Sequence, residues 1–405
     1  MSGSDPQHGE SLPKERAGER WLTRSVLGFG LASFLSDLGH EAATAALPAL
    51  LVAIGGAPAA LGFIEGVADG LSSFAKLAGG WLSDRPRRRK PIAVGGYLVT
   101  GLSTGAFALA TVWQHVQITR SIGWVARGLR GPARDAMLAD AVPDAARGRA
   151  FGFHRAMDSA GAALGPAVAA ILITVIPVRE IFWWSVVPGV LSAVAFAAFV
   201  QRDESPGTAD PQPFWTSLGA LPARFRSLLA SVFVFGLGDF ARTLLILRAS
   251  QLLTPSLGAP AANAAAMSMY AVHNVLYSVA SYPVGWIADR VPPQRLLVVG
   301  YFLGAATAFL AAAATASWWM IGSLFVVAGL TLAFEDTLEG TLTAREVPPE
   351  LRGTGYGVLA TTNGIADLVS STLVGVLWSA VGPGTAFGVA GGLCLTGAVL
   401  LTRLR

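Results

Sequence analysis

Asp37, His40 and Glu41 fall within five residues in the stretch SDLGHE, inside a run that is otherwise apolar from Val26 to Ile54. Two carboxylates and an imidazole can take up and release protons, hold a cationic solute, or ligate a divalent metal such as Mn, Fe, Co, Ni or Zn. Positions 37 and 41 are one helical turn apart and 40 adjoins 41, so on a helix the three share one broad face. Glu65 and Asp69 repeat the four-residue spacing in the next apolar run. Counted from the shared outer end near residue 55, Glu41 and Glu65 fall at similar depths, as do Asp37 and Asp69. The spacing predicts an acidic cluster with one imidazole on the outer half of the first two helices.

Other ionisable residues stand in apolar runs: Asp135, Asp158, Asp239, Glu335, Asp336, Glu339 and Asp367, with Lys76, Arg127, Arg130, Arg134, Arg155, Arg242 and Arg248. A charge at mid-bilayer costs roughly 2.5–3.5 kcal/mol on insertion scales. These groups are therefore expected to pair, take up protons or line a water-filled cavity. A fixed ion-pair network is the plain alternative for Asp37, His40 and Glu41, with Arg242 as a candidate partner.

The elements that position them are membrane helices. The 405 residues are 53% hydrophobic and 13% charged, with a mean hydropathy of +0.55, where soluble domains carry about a quarter charged residues. Apolar runs of about 20 residues, enough to cross a bilayer, recur along the chain. Twelve spans start near residues 25, 58, 91, 117, 152, 179, 227, 260, 294, 318, 355 and 382. Lys and Arg concentrate in alternate connections: 85–90, 147–149, 202–226, 290–295 and 345–352. The opposite connections hold Arg179 and, at the edge of a span, Arg120. The positive-inside rule then places both termini and the central linker in the cytoplasm of a bacterial inner-membrane protein. The first 20 residues are polar and lack a signal-peptide core, reading as a short cytoplasmic tail. The single cysteine, Cys394, excludes an intrachain disulfide.

The chain repeats itself. GWLSDR from Gly80 matches GWIADR from Gly285, and VPDAARGRAFG from Val142 matches VPPELRGTGYG from Val347, both at an offset of 205 residues. The predicted organisation is a tail (1–22), a six-helix bundle (23–200), a polar linker (201–225) and a second six-helix bundle (226–405).

GGWLSDRPRRRKP resembles the loop between helices two and three of the major facilitator superfamily, G-x-L-a-D-R-x-G-R-[RK], with Arg87 in place of a glycine. VARGLRG (125–131) is similar to the superfamily's fourth-helix R-x-x-Q-G, with Arg130 in place of glutamine. GAALGP (161–166) resembles part of the fifth-helix motif of proton-coupled exporters. The resemblance implies an all-α membrane fold of twelve helices in two pseudo-symmetric bundles, with helices one, four, seven and ten lining a central cavity. It also implies that Asp84, Arg85, Asp289 and Arg290 latch the cytoplasmic side, and that Arg127 takes part in proton coupling.

The 205-residue offset maps Asp37 onto Arg242, Arg130 onto Glu335, Arg134 onto Glu339, Glu65 onto Tyr270 and Asp69 onto Asn274. Polar character is kept while charge is inverted or lost. If these positions face each other across the cavity, Arg130 and Arg134 form an inner gate with Glu335 and Glu339. Tyr270, Asn274 and Tyr277 are the expected cavity-lining polar residues of helix eight.

No G-x-x-x-x-G-K-[ST] nucleotide loop, H-E-x-x-H metal motif or G-x-S-x-G elbow with triad partners is present, which argues against an enzyme and for gradient-driven transport without a cofactor. The expected partners are protons, a small-molecule or ion substrate and the lipid bilayer, without nucleic acid, and one chain suffices as a monomer. The leading expectation is proton-coupled antiport that exports a solute, with Asp37 and Glu41 exchanging protons beside Arg127. Export of a divalent metal held by Asp37, His40 and Glu41, and uptake of an organic anion on the arginines, are the alternatives. A transporter-like receptor is the remaining class.

Overall fold

The computed structural model describes residues 21–83, 89–143, 146–201, 219–348 and 351–404. Among these residues there are thirteen α-helices and no strand. The first six are α1 (Arg24–Ala53), α2 (Pro58–Ser83), α3 (Arg89–Gly105, continued by a 3-10 turn, Ala106–Leu109), α4 (Trp113–Asp140), α5 (Arg147–Leu172) and α6 (Val178–Phe199). The second half holds α7 (Ala223–Gly236), α8 (Arg242–Leu257), α9 (Ala259–Ala288), α10 (Pro293–Ala313), α11 (Trp318–Glu346), α12 (Arg352–Val381) and α13 (Pro383–Arg403). With α7 and α8 counted as one span, these are the twelve expected crossings. By length and apolarity alone, six helices qualify: α3 with its 3-10 turn, α6, α10, α11, α12 and α13. The helices α1, α2, α4 and α5, which carry the first-half charges, are not among them.

Local chemistry sets the ends of several helices. The Val26 amide donates to Thr23 Oγ1 at 3.3 Å and starts α1. Gly55, Gly258 and Gly382 take φ of +77°, +76° and +103° in three turns at the end away from the chain termini. A proline follows each within the first residues of the next helix, the order expected when Gly stops one helix and Pro opens another.

The seventh span departs from the expected continuous helix. It breaks between Gly236 and Arg242, leaving backbone groups that hydrocarbon cannot satisfy. Two serines of α12 take them up. Ser370 donates to the Asp239 carbonyl, and Ser371 Oγ accepts from the Ala241 amide at 3.0 Å. Arg242 donates to the Phe240 carbonyl at 2.7 Å.

Packing differs between the two ends of the bundle. At the end away from the termini, one apolar core runs through both halves, joining Leu47, Leu50 and Phe182 to Leu244, Phe325 and Trp378. At the end that carries the termini each half has a core of its own. Phe29, Tyr97 and Phe196 anchor one, and Phe225, Tyr301 and Leu338 the other. A cavity of about 1160 Å³ lies between these two. The molecule is thus closed at one end and open at the other.

The halves meet most closely along α2 and α12, where Gly62 and Gly66 lie against the backbone of Ser371 and Leu368, and Gly375 lies against Gly62. Small residues are what permit such helix approach in membranes. A side chain at Gly62 has no space, because its Cβ would meet the Ser371 carbonyl oxygen. Overpacking costs about 1–3 kcal/mol in well-packed interiors. Gly62→Leu is therefore expected to lower the unfolding temperature in detergent by several degrees, whereas Gly95→Ala, with open space around it, leaves it unchanged. Equal unfolding temperatures for the two variants would show that the α2–α12 contact is not a tight one.

Candidate coupling site and central cavity

Arg120, Trp124 and Arg127 are spaced at i, i+4 and i+7 on α4 and form one stripe. Helix α2 comes close to it because Gly128 sits on the Ser72 backbone and Gly79 on that of Leu129. The acids of α2 then land on the stripe. Glu65 pairs with Arg120, both nearly inaccessible, and Asp69 accepts from the Trp124 indole at 2.7 Å. The Arg120 guanidinium also lies over the Trp124 ring, 3.9 Å from its centroid. These charges thus have their partners within the first half, and a buried ion pair is stable only with its partners in place.

Helix α1 supplies the next layer. Asp37 pairs with Arg127 at 3.2 Å, and its carboxyl also interacts with that of Asp158 on α5. Helix α5 reaches this position because Gly161 and Gly165 pack against the backbone of Phe34 and Leu38. These are the glycines of GAALGP, and their visible work is close packing of α5 on α1. Glu41 accepts from the Tyr270 hydroxyl at 3.0 Å, a bond from the second half to the first. His40 lies against Trp124 with the rings tilted and their centroids 4.5 Å apart, and its Nε2 lies 3.8 Å from Glu41. The expected cluster therefore exists as neighbouring groups on α1, α2 and α4, but each acid has its own partner. Asp37, His40 and Glu41 do not converge on a point, and among the described residues no group of three or more His, Cys, Asp or Glu side chains could hold a metal ion.

The expected gate is not assembled in this conformation. Arg130 donates to Ser36 Oγ at 3.1 Å and lies over the Tyr97 ring of α3. Arg134 pairs with Asp135 at 2.9 Å and donates to Ser33 at 3.3 Å. In the second half Glu339 accepts from Tyr301 of α10 at 2.7 Å and from Asn363 at 2.8 Å. Glu335 borders the cavity, in electrostatic contact with Asp239 and Arg242. Arg130 and Glu339 each turn inward to a tyrosine of their own half, so equivalence under the repeat is not contact across it. Arg242 likewise pairs with Asp239, at 2.7 Å, and not with Asp37. Asp84 and Arg85 lie outside the described residues. Arg290 donates to the Trp286 carbonyl at 2.7 Å and covers the Trp286 ring, and Asp289 caps α9. Neither forms an ion pair among the described residues.

The cavity is lined by α2, α5, the α7–α8 break, α9, α11 and α12, so helices one and four do not line it. Tyr277 lines it and donates to Asp336 at 2.6 Å. Tyr270 and Asn274 are buried beyond its inner end, where Asn274 donates to the Ala162 carbonyl at 2.7 Å, another bond between the halves. The charged lining residues are Lys76, Arg155, Asp158, Asp239, Glu335, Asp336, Glu339 and Asp367. Sequence reading placed all of these within membrane spans but could not tell which shared one space. It also left Arg120 at a loop edge, although the four-residue spacing to Trp124 was a usable signal.

Twelve crossings in two bundles around a cavity closed at one end define a secondary-transporter architecture. The family model of the Major Facilitator Superfamily matches residues 29–249 and 228–405. The chain belongs to that superfamily and is a multi-pass membrane transporter. It is 26% identical over 371 residues to an uncharacterised MFS-type transporter of Methanocaldococcus jannaschii, covering 91% of this chain and 92% of that one. Among solved structures it superposes on the nucleoside transporter NupG with a TM-score of 0.82 at 12% identity, covering 94% of this chain and 99% of the other. A bacterial homologue of the human lysosomal transporter Spinster, inward-facing and occupied, gives a TM-score of 0.72 at 16% identity, over 93% and 94% of the two chains. At these identities the structural likeness concerns the fold.

The Arg120–Glu65 pair carries a testable energetic claim. Removing one member of a buried pair costs about 3–5 kcal/mol, whereas replacing both by apolar residues can be neutral. Glu65→Leu should reduce the folded yield and unfolding temperature sharply, and Arg120→Leu with Glu65→Leu should recover most of the loss. A double variant as unstable as the single one would assign the pair a role beyond mutual compensation.

Proposed function

We propose that this transporter exchanges protons for a small solute bearing a cationic group, exporting the solute from a bacterial cytoplasm across the inner membrane. In this reading both termini and the open cavity face the cytoplasm and one chain is the working unit. The observation that carries it is the set Asp37, Arg127 and Asp158. Asp37 and Asp158 share Arg127, and Asp158 also faces Arg134, which is itself paired with Asp135, so three carboxyls meet two guanidiniums in a partly buried place with Asp158 at the cavity wall. An uncompensated buried carboxylate is costly, so the site favours taking up one more positive charge. A proton supplies it at Asp37 and Asp158, a solute cation supplies positive charge at the neighbouring acids of the same cavity, and mutual exclusion of the two positive charges in one space is the physical basis of exchange.

The remaining steps follow from the same groups. With a solute cation among the cavity acids, Arg127 stays on Asp37 and the cavity can close around a neutralised site. From the other side of the membrane, protons displace the solute and restore the starting charge. Such a cycle requires the halves to rock about the α2–α12 and α5–α9 contacts while each half keeps its own ion pairs. Acids outnumber bases on the cavity wall, which favours a cation over the organic-anion alternative. The metal alternative has no assembled ligand set among the described residues to support it.

The test uses inverted vesicles with an acidic interior and a pH-sensitive dye, challenged with amine-bearing solutes. Addition of a transported solute should collapse the gradient for the wild type, and Asp37→Asn and Asp158→Asn should slow that collapse about tenfold or more, the rate equivalent of about 1.4 kcal/mol. If labelled solute crosses at wild-type rates in the variants without any proton signal, the carboxyls are structural and coupling lies elsewhere.

A further inference from the structure

The charged groups lining the cavity sort by wall. The first half contributes Lys76 from α2 with Arg155 and Asp158 from α5, and the second half contributes Asp239, Glu335, Asp336, Glu339 and Asp367. Half are already engaged: Asp158 with Asp37 and Arg134, Asp239 with Arg242, Asp336 with Tyr277, and Glu339 with Tyr301 and Asn363. Four are not. Among the described residues Lys76 and Arg155 make no ion pair or hydrogen bond, and both are exposed to the cavity. Glu335 and Asp367 also have no such partner, and Glu335 Oε2 is buried without one. The fixed ion pairs of each half thus leave two cations on one wall and two carboxyls on the other without an ion pair or hydrogen bond among the described residues, in longer-range electrostatic contact with groups that include Asp336 and Arg242.

We propose that the cavity takes a zwitterionic solute, its carboxylate or phosphate held by Lys76 and Arg155 and its ammonium held between Glu335 and Asp367. This rests on the transporter reading above and narrows its substrate class. A solute with only a cation would leave Lys76 and Arg155 unpaired as the cavity closes and loses water, and one with only an anion would strand the two acids. Stranding a buried charge is the costly event in both cases. A solute carrying both charges compensates both walls. It also links the two halves, which gives binding a direct way to favour closure. All four groups line the same cavity, and Lys76 and Arg155 act electrostatically across it on Asp336 of the second half. Room is ample, because small-molecule sites typically occupy about 300–1,000 Å³.

The measurement is thermal unfolding of the purified, detergent-solubilised full chain, without a proton gradient, against free amino acids, dipeptides and aminoalkyl phosphates. Each amino acid and dipeptide is paired with its N-acetyl form, which lacks the cation, and its C-amide, which lacks the anion. At least one zwitterion should raise the unfolding temperature, with both blocked forms at least about tenfold weaker, equivalent to about 1.4 kcal/mol. Lys76→Gln with Arg155→Gln should abolish the preference over the amide, and Glu335→Gln with Asp367→Asn the preference over the acetylated form. The inference is overturned if a blocked form binds as well as its parent, or if no zwitterion shifts the transition. It is equally overturned if discrimination survives both double variants, in which case the four charges serve to close the halves on each other. Because no gradient is used, a failure here leaves proton coupling standing, and a failed vesicle assay leaves the binding result standing.

Discussion

The structure depends on one constraint: a charge inside the bilayer must be compensated before the chain can pack. The stripe Arg120–Trp124–Arg127 on α4 does this for the first half. It receives Glu65 and Asp69 from α2 and Asp37 from α1, binding three helices through polar contacts that lipid cannot replace. Glycines at the crossings make those contacts geometrically possible, since a side chain at Gly128 or Gly161 would hold the helices apart. The second half reaches the same end by other means. It pairs Arg242 with Asp239 and spends tyrosine and asparagine hydroxyl and amide donors on Glu339.

Compensation within each half has a mechanical consequence. Because each half satisfies most of its own charges, it can move as a body without breaking its ion pairs. Among the described residues, what joins the halves in this conformation includes an apolar core at one end, the α2–α12 glycine contact, and single hydrogen bonds from Tyr270, Asn274 and the Ala59 amide. Apolar contacts and single hydrogen bonds are of modest strength and can be exchanged for equivalents in another arrangement. The broken seventh span sits where this flexibility is needed. Its exposed backbone is secured to α12 by Ser370 and Ser371, so the break stays within the second half and moves with it.

The cavity is where internal compensation stops. It is bounded by groups that have partners and by four that do not, and the latter are divided by sign between the walls. A protein that otherwise commits its buried charges so fully leaves these for a solute or for the opposite wall. That is why the substrate question reduces to which charges a ligand must bring.

By itself the sequence determined the number of crossings, their starting points to within a few residues, and the division into two related halves. These depend on the length and apolarity of each run and on a repeat at fixed offset, both of which are local or linear properties. It also showed that Asp37, Glu41, Glu65, Asp69 and Arg127 must find partners inside the bundle. Which partners they find is a matter of helix rotation and crossing distance, and a membrane helix with polar residues on several sides does not fix its own rotation. Tertiary packing turned Arg130 and Glu339 toward tyrosines of their own halves, drew the cavity lining from helices other than α1 and α4, and gathered Lys76, Arg155, Glu335 and Asp367 into one space. It also decided the break in the seventh span, which is tolerated only because serines from a helix more than a hundred residues away in sequence complete its hydrogen bonds.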